Sequence, residues 1–374
     1  MLLSAHAASR EVGRALHLGG VSISELPRFT ASSACETEPK CVAHRQGSHP
    51  DDLPMRAVAI TEAGGLDVLT VIDRPVRDAG RGEVRVAVKA AAVNPTDLGL
   101  RQYGVEGIPA PWVPGMDAAG VVESVGDGVD RLTVGERVMA AVSPRRPEGG
   151  AQAELLVAPA ASVVPIPEGA TFQQASTLPM NGLTAKLGLE LLDLRAGQTL
   201  AVTGGAGLLA SYVIALARAG GLRVIADAKP DDEALVRSFG ADAVIPRGEG
   251  FVRAVREAAP GGVDGLFDTA LLGRAAFAAI RDGGAMAVVR GWDDSPTERG
   301  IQIHQVAVRT VLERTDWLDE LREMASDGRI ALRVAAEYPP ERAADAQRAM
   351  NAGGLRGRAV IVFQGIEQKT PSAD

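Results

Sequence analysis

A short glycine-rich segment, TGGAGLLAS at residues 203–211, has the residue types and spacing that bind phosphate groups. Within it, Gly205, Gly207 and Ala210 form a G-x-G-x-x-A pattern, a permitted form of the dinucleotide-binding fingerprint. The first glycine allows a tight turn, the second lets the backbone approach a pyrophosphate, and the small third residue lets a helix pack on the preceding strand. Because the chain has 43 glycines, the meaning of this pattern depends on the elements around it.

An acidic residue follows the glycine-rich segment at the spacing that ribose recognition requires. Asp227 ends the next predicted strand, about 20 residues after Gly205. A carboxylate there can accept hydrogen bonds from the ribose 2′- and 3′-hydroxyls and would repel a 2′-phosphate. Asp227 therefore favours NAD(H), and the nearby Lys229 would soften that preference.

Alternating strand and helix patterns surround the glycine-rich segment. The strand QTLAVTG precedes it, and the helix GLLASYVIALARAGG opens with it. The alternation continues through LRVIADA, PDDEALVRSFG, DAVIPR, GFVRAVREAAP, GLFDTA, the predicted helix RAAFAAIRDGG and the predicted strand AMAVVRG. This alternation predicts a parallel, doubly wound α/β sheet. Fingerprint, sheet and acid together favour a dinucleotide site over a glycine-rich turn in a non-binding domain.

A β-rich segment precedes this sheet and a shorter mixed segment follows it. From Met55, valine-rich strands separated by Gly and Asp turns, including MRAVAIT, LTVIDRPV and GEVRVAVKAAAVNPTD, are typical of a small barrel. Residues 171–194 predict a helix with its N-cap at Thr171. From about residue 306, two helices, WLDELREMASDG and PERAADAQRAMNAGG, and a last strand, RAVIVF, complete the pattern.

Composition excludes several classes of protein. A chain of 374 residues with 46% hydrophobic and 23% charged residues is typical of a soluble protein with two domains. The net charge of −8 disfavours a nucleic-acid-binding surface, and no apolar run is long enough to cross a membrane. Cys35 and Cys41 are the only cysteines, so the main body holds neither a disulfide framework nor a cysteine-based zinc site. A solvated tail is favoured over a metal-binding Cys/His patch at the N-terminus.

The order of these segments resembles the medium-chain dehydrogenase/reductase superfamily, and within it the zinc-independent quinone oxidoreductase branch. The matching segments are AAVNPTDLGLR, VPGMDAAGVVESVG, VGERVMA, GGAQAELLVAP, LTAKLGL, AVTGGAGLLASY and GLRGRAVIVF, in the family's order. The resemblance implies an α/β fold with a Rossmann doubly wound parallel sheet domain and a GroES-like β-barrel catalytic domain.

The resemblance also implies the domain boundaries. We expect the following division: a disordered N-terminal extension at 1–54, the first part of the GroES-like catalytic domain at 55–176, the Rossmann domain at 177–305, a return to the catalytic domain at 306–366, and a disordered tail at 367–374.

Zinc-dependent members of the superfamily carry metal ligands that this chain lacks. A cysteine of those members is replaced here by Asn94, and a His-Glu pair is replaced by Met116 and Asp117. The four-cysteine structural lobe is replaced by SPRRPEGGAQAE. Because a neutral amide and a thioether are poor zinc ligands, we expect no metal site and a zinc-free mechanism.

Without a Lewis acid, hydride must go to an acceptor that is already electrophilic, such as a quinone or another conjugated carbonyl. By resemblance, Asn94 and Asp97 border the nicotinamide cleft, and Asn94 is the favoured hydrogen-bond donor near the reacting centre. A turn-forming asparagine and a helix N-terminal cap are the respective structural alternatives. Tyr103, in the following loop, could donate its O–H group or simply pack. The predicted catalytic residues are therefore Asn94, Asp97 and Tyr103.

The resemblance implies a cofactor-binding set along the carboxyl ends of the strands. That set is Thr184, Gly204, Gly205, Ala206, Gly207, Leu208, Leu209, Asp227, Lys229, Thr269, Val289, Arg290 and Gly291. Leu208 and Leu209 replace the small residues that are usual in this loop, which could stiffen or shift the pyrophosphate contact. Family habit favours NADP(H) and Asp227 favours NAD(H), so we expect NAD(P)H with a slight preference for NADH.

Together these observations predict a cytoplasmic, homodimeric, zinc-independent NAD(P)H-dependent oxidoreductase that reduces a small quinone or another conjugated carbonyl. No nucleic acid or membrane partner is expected. One alternative is an enoyl or alkenal double-bond reductase. A second is a crystallin-like NAD(P)H-binding protein without catalysis, which the altered phosphate loop keeps open.

Overall fold

The computed structural model describes residues 53–364, which form fifteen β-strands and eight α-helices within one compact unit. The predicted disorder of 1–54 and 367–374 lies outside these residues, except that Leu53 and Pro54 already belong to the first strand. Within 53–364, no helix has the combination of length and apolar character that membrane crossing requires.

The predicted parallel sheet is present and has six strands. They are β8 (Thr199–Val202), β9 (Arg223–Ala228), β10 (Ala243–Pro246), β11 (Val263–Asp268), β12 (Ile280–Val288) and β13 (Gln302–Gln305). Their spatial order is β10-β9-β8-β11-β12-β13, and all pairs are parallel. The chain therefore reverses its direction of travel across the sheet between β8 and β11, the switch point beside which such sheets bind ligands.

Helices cover both faces of this sheet. They are α3 (Pro179–Leu192), α4 (Leu208–Ala219), α5 (Glu233–Ser238) and α6 (Phe251–Ala258). The helix α4 is apolar almost all round, and its side chains from Ala210 to Ala217 are buried. This burial anchors the helix whose N-terminus follows the glycine-rich segment.

Two predicted helices differ from the structure. The helix predicted over residues 171–194 is divided into α2 (Phe172–Ala175) and α3, because Pro179 cannot continue a helix. Thr171 is the N-cap of α2, as predicted, and accepts a hydrogen bond from the Gln174 N–H.

The helix predicted at RAAFAAIRDGG is a 3-10 helix over Gly273–Ala279, after which β12 begins at Ile280. Gly283 has φ +65°, which an α-helix does not allow, and Gly284 follows it. The end of the predicted helix therefore belongs to β12, which begins at Ile280 and pairs with β11.

The catalytic part of the chain is mainly antiparallel. Its strands are β1 (Leu53–Ile60), β2 (Leu69–Val76), β3 (Glu83–Ala92), β4 (Asp117–Val125), β5 (Arg137–Ala141), β6 (Leu155–Pro159), β7 (Val163–Pro165), β14 (Val334–Tyr338) and β15 (Arg358–Val362). β1 pairs with β2, and the larger sheet has the order β14-β15-β3-β4-β5-β7, with β6 also on β3. The predicted last strand is β15, whereas β14 was not predicted.

Three further helices belong to this part: α1 (Pro95–Tyr103), α7 (Thr315–Ser326) and α8 (Ala343–Ala352). β15, in the C-terminal segment, pairs antiparallel with β3. This segment therefore joins the same sheet as strands from the first part of the chain. We call residues 329–362 the return segment. It supplies β14 and β15 to the larger sheet, and its Arg333 and Arg356 contact residues that follow β8 and β9 of the parallel sheet.

Candidate active site

The glycine-rich segment forms a tight turn between β8 and α4. Gly204 has φ +69°, and a Cβ atom there would lie 3.0 Å from the Thr269 hydroxyl oxygen. A Cβ atom on Gly205 would lie 2.6 Å from the carbonyl oxygen of Asp227, so both positions require glycine. Gly207 is the N-cap of α4 and provides no side-chain cap, which leaves the first helical amides for a ligand. The turn therefore fits the pyrophosphate of a dinucleotide.

Asp227 is buried beside this turn, near the end of β9. Its Oδ1 atom accepts hydrogen bonds from the backbone N–H groups of Gly204 and, at 3.3 Å, of Gly205. Burial raises the pKa of Asp227, and these two hydrogen bonds oppose the shift. Because both bonds use Oδ1, Oδ2 is the atom available to a ribose hydroxyl.

The loops after β8 and β11 are tied together by side chains. Thr203 donates from Oγ1 to Asp268 at 2.7 Å and accepts from the Ala270 N–H at 2.9 Å. Asp268 also accepts from the Gly273 N–H at 2.8 Å, and the Thr269 hydroxyl donates to the Thr203 carbonyl. Sequence reasoning missed Asp268, although an acid directly after an apolar strand was the available signal.

The remaining predicted cofactor residues lie at the same edge of the sheet. After β12, Val289 is half-buried, while Arg290 and Gly291 are exposed, and Gly291 has φ +77°. After β9, Lys229 is exposed. The parallel sheet thus brings the predicted segments after β8, β9, β11 and β12 to one edge, where ligands bind in such sheets.

Asp97 is the third residue of α1 and completes the capping box at the start of that helix. Asn94 is the N-cap of α1, and Asp97 accepts from the Asn94 N–H at 2.8 Å in a capping box. The same carboxylate oxygen, Oδ2, also accepts from Gln152 Nε2 at 3.3 Å, and Oδ1 accepts from the Gly115 N–H at 2.9 Å. Complete burial raises the pKa of Asp97 to about 6. The N-cap position considered for Asp97 thus belongs to Asn94, and Asp97 contributes to the capping box while it also holds the loop at Gly115 against α1.

Asn94 lies at the centre of a buried polar network. Its Nδ2 donates to Asp117 Oδ2 at 2.6 Å, and its Oδ1 accepts from Arg358 Nε at 2.9 Å and from Asn181 Nδ2 at 3.2 Å. Asp117 also accepts from the Met180 N–H at 2.5 Å. Burial raises the pKa of Asp117 to about 7. Asn94, Asp117 and Asn181 are buried, whereas Arg358 is partly exposed.

Sequence reasoning did not select Asp117, Asn181 or Arg358 as site residues. Each lies in or beside a segment that resembles the family: PGMDAAG, MNGLTA and GLRGRAV. The segments were recognised, but their mutual contact depends on the packing of β4, α3 and β15.

Two further candidates have contrasting environments. Thr184 is buried, and its hydroxyl donates to the Met180 carbonyl at 2.7 Å within α3. Tyr103, the last residue of α1, is 74% exposed, so the packing role considered for it is wrong. The catalytic and cofactor roles of these two residues stay predictions.

The residues at the Asn94 position do not fit a zinc ion. Among residues 53–364, no group of three or more His, Cys, Asp or Glu side chains could hold a metal. The Asn94 carbonyl oxygen accepts from the Arg358 guanidinium, a cation that would repel a metal ion at the same atom. Met116, next to Asp117, offers only a thioether.

Comparison with known proteins identifies the family of the chain. Residues 80–168 match the alcohol dehydrogenase GroES-like domain, and residues 239–361 match the zinc-binding dehydrogenase domain. The NADPH-dependent alkenal/one oxidoreductase of Arabidopsis thaliana is 31% identical over 318 residues, which cover 82% of this chain and 79% of the relative.

Solved structures with similar folds include a mycobacterial quinone oxidoreductase at 28% identity and a TM-score of 0.70. A mycobacterial protein in complex with NADPH is similar at 27% identity and a TM-score of 0.73. Each match covers 83% of this chain and 100% of the other. The predicted fold and family are confirmed: the chain belongs to the medium-chain dehydrogenase/reductase superfamily of oxidoreductases.

Proposed function

We propose that this protein transfers hydride from NAD(P)H to a conjugated carbonyl acceptor, either a quinone or an α,β-unsaturated aldehyde or ketone. One observation carries the proposal: the Asn94 side chain is held by Asp117 and Arg358 at the position where zinc-dependent members of the superfamily need a metal ligand. Without zinc, the acceptor must be electrophilic by conjugation. The similarity to an alkenal/one oxidoreductase and to a quinone oxidoreductase supports this class of acceptor.

Bound reduced nicotinamide supplies the hydride, and the chain binds and orients it. The free amides at the start of α4 would bind the pyrophosphate, and Asp227 Oδ2 would accept from a ribose hydroxyl. Asp227 supports a slight preference for NADH, whereas the NADPH-dependent relative and the NADPH complex favour NADPH. Lys229 would soften the preference for NADH by pairing with the 2′-phosphate or with Asp227.

On the acceptor, hydride adds while an electron pair moves to the carbonyl oxygen. The enolate or hydroquinone anion that forms takes a proton from solvent, which gives the saturated carbonyl compound or the hydroquinone. Before protonation, negative charge develops on the carbonyl oxygen. We assign stabilisation of this oxygen to Asn94. One of its amide N–H groups is committed to Asp117, and the second is the donor. Because Asn94 has no exposed surface in this structure, this assignment requires the site to open where the acceptor binds. Arg358 binds the Asn94 carbonyl oxygen and polarises the amide, which strengthens the remaining N–H as a donor.

The experiment is steady-state oxidation of NADH and NADPH with a panel of quinones, alkenals, enones and enoyl thioesters, with product identification. Turnover of a quinone or an enone supports the proposal, and the products show whether a quinone or a C=C bond is reduced. Cofactor binding without turnover of any acceptor would favour the non-catalytic alternative. Homodimer formation and a cytoplasmic location stay predictions.

A further inference from the structure

Arg333, in the return segment, reaches the glycine-rich turn. Its Nη1 donates to the Ala206 carbonyl at 3.2 Å, and its Nη2 donates to the Gly207 carbonyl and to Ser211 Oγ, both at 3.0 Å. The guanidinium carbon lies 4.6 Å from the centre of the Phe239 ring. Nε is buried and has no hydrogen-bond partner among the described residues.

The positive charge of Arg333 is not neutralised by a direct ion pair. No salt bridge in the described part of the chain includes it, and the nearby Asp232 is engaged by Arg356 at 2.6 and 2.5 Å. Burial, together with the neighbouring Arg356 and Arg358, lowers the pKa of Arg333 to about 10. Tyr212 and Asp232 oppose this pKa shift. A partly desolvated guanidinium that meets only neutral oxygens is costly unless an anion completes its environment.

The two carbonyls that Arg333 binds belong to peptide groups whose N–H groups lie in the turn and at the start of α4. In a trans peptide the C=O and the following N–H point in opposite directions. The Gly207 N–H is used within the turn, where it donates to the Gly204 carbonyl at 2.8 Å. The Gly207 carbonyl also accepts from the Ser211 N–H at 3.0 Å, so Arg333 is a second donor to the oxygen whose direction sets that of the Leu208 N–H, the first amide of α4.

We propose that Arg333 is a positioning residue for the pyrophosphate of the cofactor. Together with the Ser211 N–H, it holds the peptide plane between Gly207 and Leu208, and it places beside the turn a positive charge that the pyrophosphate neutralises. The inference rests on the proposed function, since it takes the ligand of the turn to be NAD(P)H. Because Arg333 belongs to the return segment, the same contact links cofactor binding to the docking of that segment.

The test compares Arg333→Met and Arg333→Lys with the wild-type protein. The ligand is ADP-ribose, which carries the pyrophosphate without nicotinamide, and its Kd is measured by calorimetry well below each melting midpoint. We expect Arg333→Met to raise the Kd about tenfold and Arg333→Lys to raise it less. The midpoint of ligand-free Arg333→Met should equal or exceed the wild-type value, because a desolvated charge is removed.

Arg356→Met is the matched control from the same segment. It leaves the buried Asp232 without its ion pair, so we expect a lower melting midpoint and an ADP-ribose Kd within about twofold of wild type. An Arg333→Met Kd within about twofold of wild type overturns the inference and leaves the proposed function intact. If that variant does not fold, the same limit applies to Arg333→Lys. A wild-type protein that binds neither ADP-ribose nor NAD(P)H overturns both proposals.

Discussion

The carboxylate of Asp117 and the amide of Asn94 lie 2.6 Å apart, and neither side chain has exposed surface. Asp117 comes from β4, and Asn94 precedes α1. The carboxylate accepts from the amide nitrogen while Arg358 donates to the amide oxygen, so the orientation of the Asn94 side chain is fixed from both ends. Four predictions follow from this network and from the glycine-rich turn.

Removing the Asn94 amide should slow hydride transfer without preventing cofactor binding. We expect Asn94→Ala to lower kcat/KM for the acceptor by about 10²–10³-fold, the usual effect of losing one oxyanion donor. The Kd of NAD(P)H should change by less than about threefold. Asn351→Ala, at an exposed position on α8, is the control. Unchanged kcat/KM in Asn94→Ala would show that Asn94 is only a helix cap.

Stability should depend on pH through the buried carboxyl groups. Burial raises the pKa of Asp117 to about 7, whereas an unfolded aspartate has a pKa near 3.9. The native state therefore retains a proton that the unfolded state loses. The stabilisation from this retained proton on Asp117 is complete below about pH 4 and is lost as the pH rises through the pKa of Asp117 in the folded state.

Urea unfolding at several pH values tests this dependence. We expect the free energy of unfolding of wild type, relative to Asp117→Asn, to fall between about pH 4 and about pH 7 by on the order of 1 kcal/mol per pH unit. Asp130→Asn, at an exposed position, should run parallel to wild type. Parallel curves for Asp117→Asn and wild type would contradict the prediction.

Cofactor preference should depend on Asp227. We expect the native protein to bind NADH more tightly than NADPH, because a 2′-phosphate would meet a buried carboxylate. Asp227→Ser removes that repulsion and should shift the affinity ratio toward NADPH roughly tenfold. Fluorescence titrations at one ionic strength measure the ratio. Asp231→Ser, the same change at an exposed neighbour, should leave it unchanged. Tighter binding of NADPH by the native protein would mean that Asp227 does not face the ribose.

Metal removal should leave activity unchanged. The side chains at the Asn94 position do not fit zinc, and Arg358 places a positive charge there. We expect equal acceptor turnover before and after incubation with a chelator and dialysis, and no gain on addition of zinc. Activity that a chelator abolishes and zinc restores would disprove the zinc-free mechanism.

Local sequence determined the cofactor side of the site. The turn needs glycine at Gly204 and Gly205 because of a positive φ and close backbone contacts, and such requirements are visible in the residue types themselves. The periodicity of apolar residues predicted that this turn lies between β8 and α4 and that Asp227 lies near the end of β9. Burial of strands and helices in a parallel-sheet domain imposes that periodicity. The local pattern gave the wrong prediction at Ile280, where a helix was expected. Apolar and small residues there suit a helix or a strand, and pairing with β11 selected the strand.

Tertiary structure alone decided which side chains meet. Asn94, Asp117, Asn181 and Arg358 come from four segments far apart in the chain, and a buried polar group has no local periodicity that names its partner. The same holds for Arg333, whose contacts with Ala206 and Gly207 span more than 120 residues. Sequence thus determined the fold and the phosphate-binding turn, because both arise from short-range sterics and hydrophobic patterning. Tertiary packing, which includes the pairing of β15 with β3, determined which polar groups complete the site, because only that packing brings them within hydrogen-bonding distance.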